Sequence, residues 1–137
     1  MITAVDTNVL LDVLHGTDPF GEASADALAR CAAEGSLVAC EVVWAETAAW
    51  YASPGDMHKV MEDLGIVCRP SSAESAAIAG AAWRHYRALG GPRSRLVADF
   101  LVGAHANTHA DRLLTRDRGF FRRYFGDLVV IDPTGTR

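Results

Sequence analysis

Asp99 is the one charged residue in the run Leu96-Val97-Ala98-Asp99-Phe100-Leu101-Val102-Gly103-Ala104, and a lone carboxylate in apolar surroundings is costly unless something compensates it. Three other acids stand at similarly pointed places. Asp6 closes the apolar run Ile2 to Val5, Asp117 follows Leu113-Leu114-Thr115 by one residue, and Glu46 sits among Trp44, Ala45, Ala48, Ala49 and Trp50. Carboxylates gathered together repel one another and protonate unless a cation lies between them. Oxygen ligands without His or Cys select Mg²⁺ or Mn²⁺. Such a site activates water and stabilises the leaving oxygen of an in-line phosphodiester displacement, with no side-chain nucleophile. Each acid also has a plainer use when taken alone: Asp6 and Asp117 as helix caps, Glu46 as a solvated helix residue.

The elements that carry these acids decide whether they meet. Apolar runs of strand length occur at Ile2 to Val5, Leu37 to Cys40, Ile66 to Cys68, Leu113 to Thr115 and Leu128 to Ile131. Between them, periodicity and breakers predict helices over Asn8 to His15, Ser24 to Ala33, Glu41 to Tyr51, Asp56 to Leu64, Ser71 to Leu89 and Ser94 to His109. Ser71-Ser72-Ala73-Glu74 has the spacing of a capping box, and Gly90-Gly91-Pro92 is a strong stop. The last helix carries an apolar stripe of Leu96, Val97, Phe100, Leu101 and Ala104. Short apolar strands alternating with helices predict an α/β sandwich on a parallel sheet covered on both faces. In such a sheet ligands gather beyond the carboxyl ends of the strands. Asp6 and Asp117 lie just past those ends, while Glu46 and Asp99 fall in the first two turns of helices that start there. All four acids therefore point at one rim.

Length and charge narrow the classes. A chain of 137 residues, half of them hydrophobic, builds one core, and a single domain over residues 1–137 is expected. No apolar run reaches membrane-span length and the N-terminus reads as a strand, so a cytoplasmic chain without a membrane contact is expected. Cys31, Cys40 and Cys68 form no C-x-x-C pair and read as small core hydrophobes. The formal charge is −4, yet arginines crowd the part of the chain after Pro70. Arg93, Arg95, Arg116 and Arg118 flank Asp99 and Asp117, where phosphate binding and solvated helix faces explain them equally well. His105 and His109 are one helical turn apart, but no third zinc ligand accompanies them; packing accounts for both.

Four segments together resemble a known family. Asp6-Thr7-Asn8-Val9-Leu10-Leu11, Trp44-Ala45-Glu46, the stretch from Arg95 to Ala106, and Leu113-Leu114-Thr115-Arg116-Asp117-Arg118-Gly119-Phe120 resemble, in order, the four motifs of PIN domains. The likeness covers essentially the whole chain and is greatest to the VapC toxins of bacterial toxin and antitoxin pairs. It implies a three-layer α/β/α sandwich on a five-stranded parallel sheet and a Mg²⁺- or Mn²⁺-dependent endoribonuclease. It also implies a homodimer and inhibition by a small antitoxin of the VapB kind. Carried over motif by motif, Asp6, Glu46, Asp99 and Asp117 match the acidic metal-site residues. Asn8 and Thr115 match the polar residues that orient Asp6 and the metal-bound water. The expected division places the principal ion on Asp6 and Asp99, with Glu46 and Asp117 contacting it directly or through water and completing a second site when RNA is present.

Two other classes use the same residues differently. A phosphotransfer domain would take Asp6 as phosphate acceptor, but such folds want a second acid beside the acceptor and a late lysine, whereas Asn8 follows Asp6 and Lys59 is the only lysine. A non-enzymatic module would use the acidic pocket to dock a partner's arginines, which is compatible with a nuclease whose antitoxin inserts basic side chains.

Overall fold

The computed structural model describes residues 1–16, 18–92 and 95–135. Its centre is a five-stranded, wholly parallel sheet of β1 (Ile2–Val5), β2 (Ser36–Ala39), β3 (Ile66–Cys68), β4 (Arg112–Leu114) and β5 (Val129–Ile131), in the order β3-β2-β1-β4-β5. The central strands are nearly continuous in Val, Leu and Ala because helices bury them on both faces. In β4 all of Arg112, Leu113 and Leu114 are buried. Among the described residues seven helices form the outer layers: α1 (Thr7–His15), α2 (Gly21–Glu34), α3 (Glu41–Ala48), α4 (Pro54–Asp63), α5 (Ala73–Ala88), α6 (Val97–His109) and α7 (Arg118–Tyr124). The result is the expected three-layer α/β/α sandwich.

Among the described residues Phe100 of α6 and Phe121 of α7 are the largest fully buried side chains, in one core cluster with Leu10, Leu113 and Leu114. Truncating either ring to Ala would cost about 3–5 kcal/mol. The same packing explains Gly103: a Cβ there would come within 2.3 Å of the Phe125 ring. Only glycine lets α6 lie that close to Phe125, and α6 is the helix that carries Asp99.

Several boundaries differ from the sequence expectation for identifiable reasons. The α5 box forms one residue late, with Ser72 Oγ accepting from Ser75 N at 3.1 Å and Ser75 Oγ accepting from Ser72 N at 2.9 Å. Ser71 is otherwise engaged, giving its N–H and its hydroxyl to the Glu41 carboxylate at 2.9 and 2.6 Å. Helix α6 begins at Val97, with Leu96 extended ahead of it, so Leu96 and Val97 are 62% and 39% exposed instead of lying in the buried stripe. Phe100 and Ala104 do lie in that stripe. Cys31 and Cys40 are core residues, but Cys68 is exposed, because on edge strand β3 only Ile66 is buried. Among the described residues no helix is long and apolar enough to cross a membrane.

Candidate active site

The chain leaves β1 toward β2 on one side and later adds β4 on the other, so the carboxyl ends of β1 and β4 flank a topological switch point where open sheets form crevices. Register sets what stands there. Val5 is paired with Leu114, and Asp6 N donates to Leu114 O at 2.9 Å, so Asp6 and Thr115 leave the sheet side by side. Asp6 has extended backbone and caps α1, its Oδ1 accepting from Thr7 N at 2.8 Å. Its Oδ2 accepts from Thr115 Oγ1 at 2.8 Å and, at the long distance of 3.4 Å, from Asn8 Nδ2. Asn8 Oδ1 in turn accepts from Arg116 N at 3.1 Å. This ties the start of α1 to the end of β4.

The other acids reach the same rim from helix N-termini. Glu46 lies in the second turn of α3, and its Oε1 accepts from Thr7 Oγ1 at 2.8 Å. Asp99 lies in the first turn of α6, where its carboxylate accepts from Leu96 N at 3.2 Å. Its charge is therefore met by a helix N-terminus and partial solvent contact, not sealed in an apolar run. Asp117 precedes α7 without a side-chain cap bond to that helix. Its N–H goes to Thr115 Oγ1 at 3.0 Å, and its carboxylate takes the Arg95 guanidinium at 2.5 Å. Arg95 Nη1 stands 4.0 Å from Asp99 Oδ1 as well, and its guanidinium lies 4.3 Å over the Phe120 ring.

Electrostatics marks Asp6 as the strained member. Loss of hydration pushes its carboxyl up to about 6 against the hydrogen bonds of Thr115 and Thr7, and the negative charges of Glu46 and Asp99 push it the same way. Among the described residues every hydrogen bond to the Asp6 carboxylate comes from a neutral donor. Among the described residues no group of three or more His, Cys, Asp or Glu side chains is drawn tightly enough to hold an ion as it stands. The donor set nevertheless fits a hard divalent cation: it is all carboxylate oxygen, and the mutual repulsion felt at Asp6 is what such a charge relieves.

The arginines named from the sequence go to different places. Arg95 joins the acids, as described. Arg116 turns away and forks onto Asp12, with Nε–Oδ2 at 2.6 Å and Nη2–Oδ1 at 3.1 Å, and stacks over Phe20. Arg118 lies 3.7 Å from Asp132, beside a recess that also contains Arg30 and Arg122. Arg93 lies outside the described residues. His105 is buried and His109 meets Ser72 Oγ at 3.1 Å, in keeping with packing. Sequence reasoning missed Thr7, which fixes Glu46, and buried Asp12, which holds both Arg116 and the Ser24 hydroxyl. For Asp12 the signal was available: it stands one helical turn beyond Asn8 on the same α1 face.

Solved structures share this arrangement of elements. VapBC-1 from nontypeable Haemophilus influenzae aligns with a TM-score of 0.74 at 19% identity, covering 98% of this chain and 100% of that one. VapBC2 from Rickettsia felis, solved bound to a DNA fragment from its promoter, gives 0.73 at 17% identity, covering 96% and 98%. A toxin-antitoxin complex from Klebsiella pneumoniae gives 0.70 at 20%, covering 98% and 99%. At such identities the likeness is one of fold. No curated protein matches the chain. The sequence model described as PIN domain does match, over residues 3–126, a span that contains Asp6, Glu46, Asp99 and Asp117, and the chain belongs to the PIN domain family.

Proposed function

We propose that this chain is a Mg²⁺- or Mn²⁺-dependent endoribonuclease of the VapC toxin type, acting as one domain over residues 1–137 and held inactive by a small VapB-like antitoxin. The observation that carries the reading is the state of Asp6: a partly buried carboxylate, pressed by Glu46 and Asp99 and served, among the described residues, by neutral donors. A divalent cation bound there supplies Lewis-acid activation of water and charge neutralisation at a phosphodiester. The chain's own residues prepare for it. Thr115 and Asn8 orient Asp6, Thr7 orients Glu46, and the first turn of α6 presents Asp99. Arg95 brings a positive charge to the rim, where it can meet a phosphate. Arg116 has its fork filled by Asp12 and drops out of that role.

A partner that inserts a guanidinium finds acceptors in Asp6 and Glu46, whose carboxylates are held by neutral donors. The kinship in fold with VapBC and toxin-antitoxin structures supports an antitoxin of that kind. The family resemblance is what supports a homodimer and a cytoplasmic site of action. The test is cleavage of purified total RNA by the isolated chain. Cleavage is expected with Mg²⁺ or Mn²⁺ and not with EDTA, and intact RNA in every metal would end the reading.

A further inference from the structure

Away from the four acids, a second recess of about 330 Å³ is lined by Arg30 of α2, by Arg118 and Arg122 of α7, and by Asp132 just after β5. Three guanidiniums meet there, and the lining residues include a single carboxylate. That carboxylate is already engaged. Asp132 Oδ1 accepts from Thr134 N at 2.9 Å, from Thr134 Oγ1 at 2.8 Å and from Gly135 N at 3.2 Å, while Oδ2 faces Arg118 Nε at 3.7 Å. The turn lies tight against Arg118: a Cβ on Gly135 would come within 2.9 Å of Nη1. Arg118 is therefore held in place from one side. Arg30 and Arg122 are different, because among the described residues neither makes an ion pair or a hydrogen bond. Like charges brought to one recess repel one another unless an anion lies between them.

We propose that this recess binds a small phosphate dianion, free or as the monoester of a small molecule, gripped by Arg30 and Arg122 beside an Arg118 that Asp132 holds. Charge selects the ligand class. One of the three guanidiniums is answered by Asp132, which leaves two positive charges. A phosphate monoester carries about −1.5 to −2 at pH 7 and offers three strong acceptor oxygens, whereas a carboxylate or a phosphodiester brings one negative charge and two free oxygens. Guanidinium forks fit phosphate oxygens two bonds at a time. Val130 and Ile131 also line the recess, and apolar walls strengthen the attraction by lowering the local dielectric. The size agrees, since small-molecule sites begin at roughly 300 Å³. None of Asp6, Glu46, Asp99 and Asp117 lines this recess, so the inference does not rest on the nuclease reading.

Calorimetric titration of the full chain in EDTA tests it, with ribose 5-phosphate, inorganic phosphate and dimethyl phosphate as probes. Saturable binding of ribose 5-phosphate is expected, and the diester, with one charge, should bind at least about tenfold more weakly. R30Q and R122Q, both at exposed positions, should each weaken ribose 5-phosphate several-fold, and the double variant by at least about tenfold. R84Q removes an exposed arginine of α5 outside the recess and should change nothing. Equal affinity for inorganic phosphate assigns the recess to the free ion, and tighter ribose 5-phosphate assigns it to an organic ester; either result upholds the site. Absence of saturable binding by both dianions overturns the proposal, as does a double variant that binds like wild type. Equal binding of the diester, or an R84Q loss as large as that of R122Q, overturns it too, because diffuse surface charge would then account for the heat. RNA cleavage is assayed separately, and its presence or absence leaves this result unaffected.

Discussion

Asp6 and Asp117 leave the carboxyl ends of neighbouring strands and share a single hydroxyl, Thr115 Oγ1, yet they are held by opposite means. Thr115 donates to Asp6 and accepts from the Asp117 N–H. Around Asp6 and Glu46 the partners are hydroxyls, an amide and a helix N–H, all neutral. Around Asp99 and Asp117 the chain provides its own cation, Arg95. Neutral donors orient a carboxylate without cancelling its charge, whereas a guanidinium does both. The half that lacks positive charge is thus the half built to receive it from outside, and the acids are not equivalent.

The sharpest way to break that comparison is to remove acids one at a time. D6A is expected to lose at least about a hundredfold in RNA cleavage, since the ligand that anchors the cation goes with it. D117A should lose distinctly less, because Arg95 has already neutralised Asp117. Initial rates on one defined RNA in Mn²⁺ decide the matter; equal losses at both positions would mean that the two halves work as one.

Metal-free stability separates the halves next. Asp6 holds its proton more tightly folded, with a value raised to about 6 from 3.8. Between those values the folded state binds more protons than the unfolded one, so stability falls as pH rises through the window and stays low above it. D6N removes the penalty while keeping a good helix cap. In EDTA at pH 8 it is expected to exceed wild type by up to about 3 kcal/mol, the gap closing below about pH 4. D117N gives up the charge that pairs with Arg95. Urea melts of both variants across that range read the difference directly.

T115V tests the shared hydroxyl. It deletes the 2.8 Å bond to Asp6 at little cost in volume, and loss of an orienting partner typically lowers metal affinity by about ten- to a hundredfold. Calorimetric titration with Mn²⁺ is the measurement. An affinity equal to that of wild type would show that Asp6 needs no orientation from β4.

The parts of this design that the sequence displays are those set by period and position. Ile2–Val5 and Ile66–Cys68 read as strands from their apolar runs alone, and the placing of Asp6 and Asp117 after such runs locates them at one sheet edge. The hidden parts depend on which of two local partners wins. Nothing in Ser71-Ser72-Ala73-Glu74 reveals that Glu41, thirty positions earlier, captures Ser71 and moves the cap along by one. Nor does spacing distinguish Arg95, which meets Asp117, from Arg116, which meets Asp12; both are arginines flanking a motif. The expected helix start, Ser94, lies outside the described residues, and the apolar rhythm does not mark the start at Val97 because Leu96 and Val97 continue that rhythm while standing outside the buried face.

Arg95 is the point where the comparison can be reversed. Its pair with Asp117 joins side chains 31% and 33% exposed, so in solution the bond contributes only about 1 kcal/mol or less to stability. A double-mutant cycle of R95Q and D117N should return a coupling of that order. The informative quantity is metal affinity. If Arg95 stands in for a cation on the Asp99 and Asp117 side, R95Q leaves those carboxylates uncompensated, and Mn²⁺ should bind a few-fold more tightly in calorimetry, a modest gain because solvent already screens the pair. If R95Q instead weakens Mn²⁺ as much as T115V does, Arg95 is a brace for the acids and not a competitor for their charge, and the division of the site into two unlike halves fails.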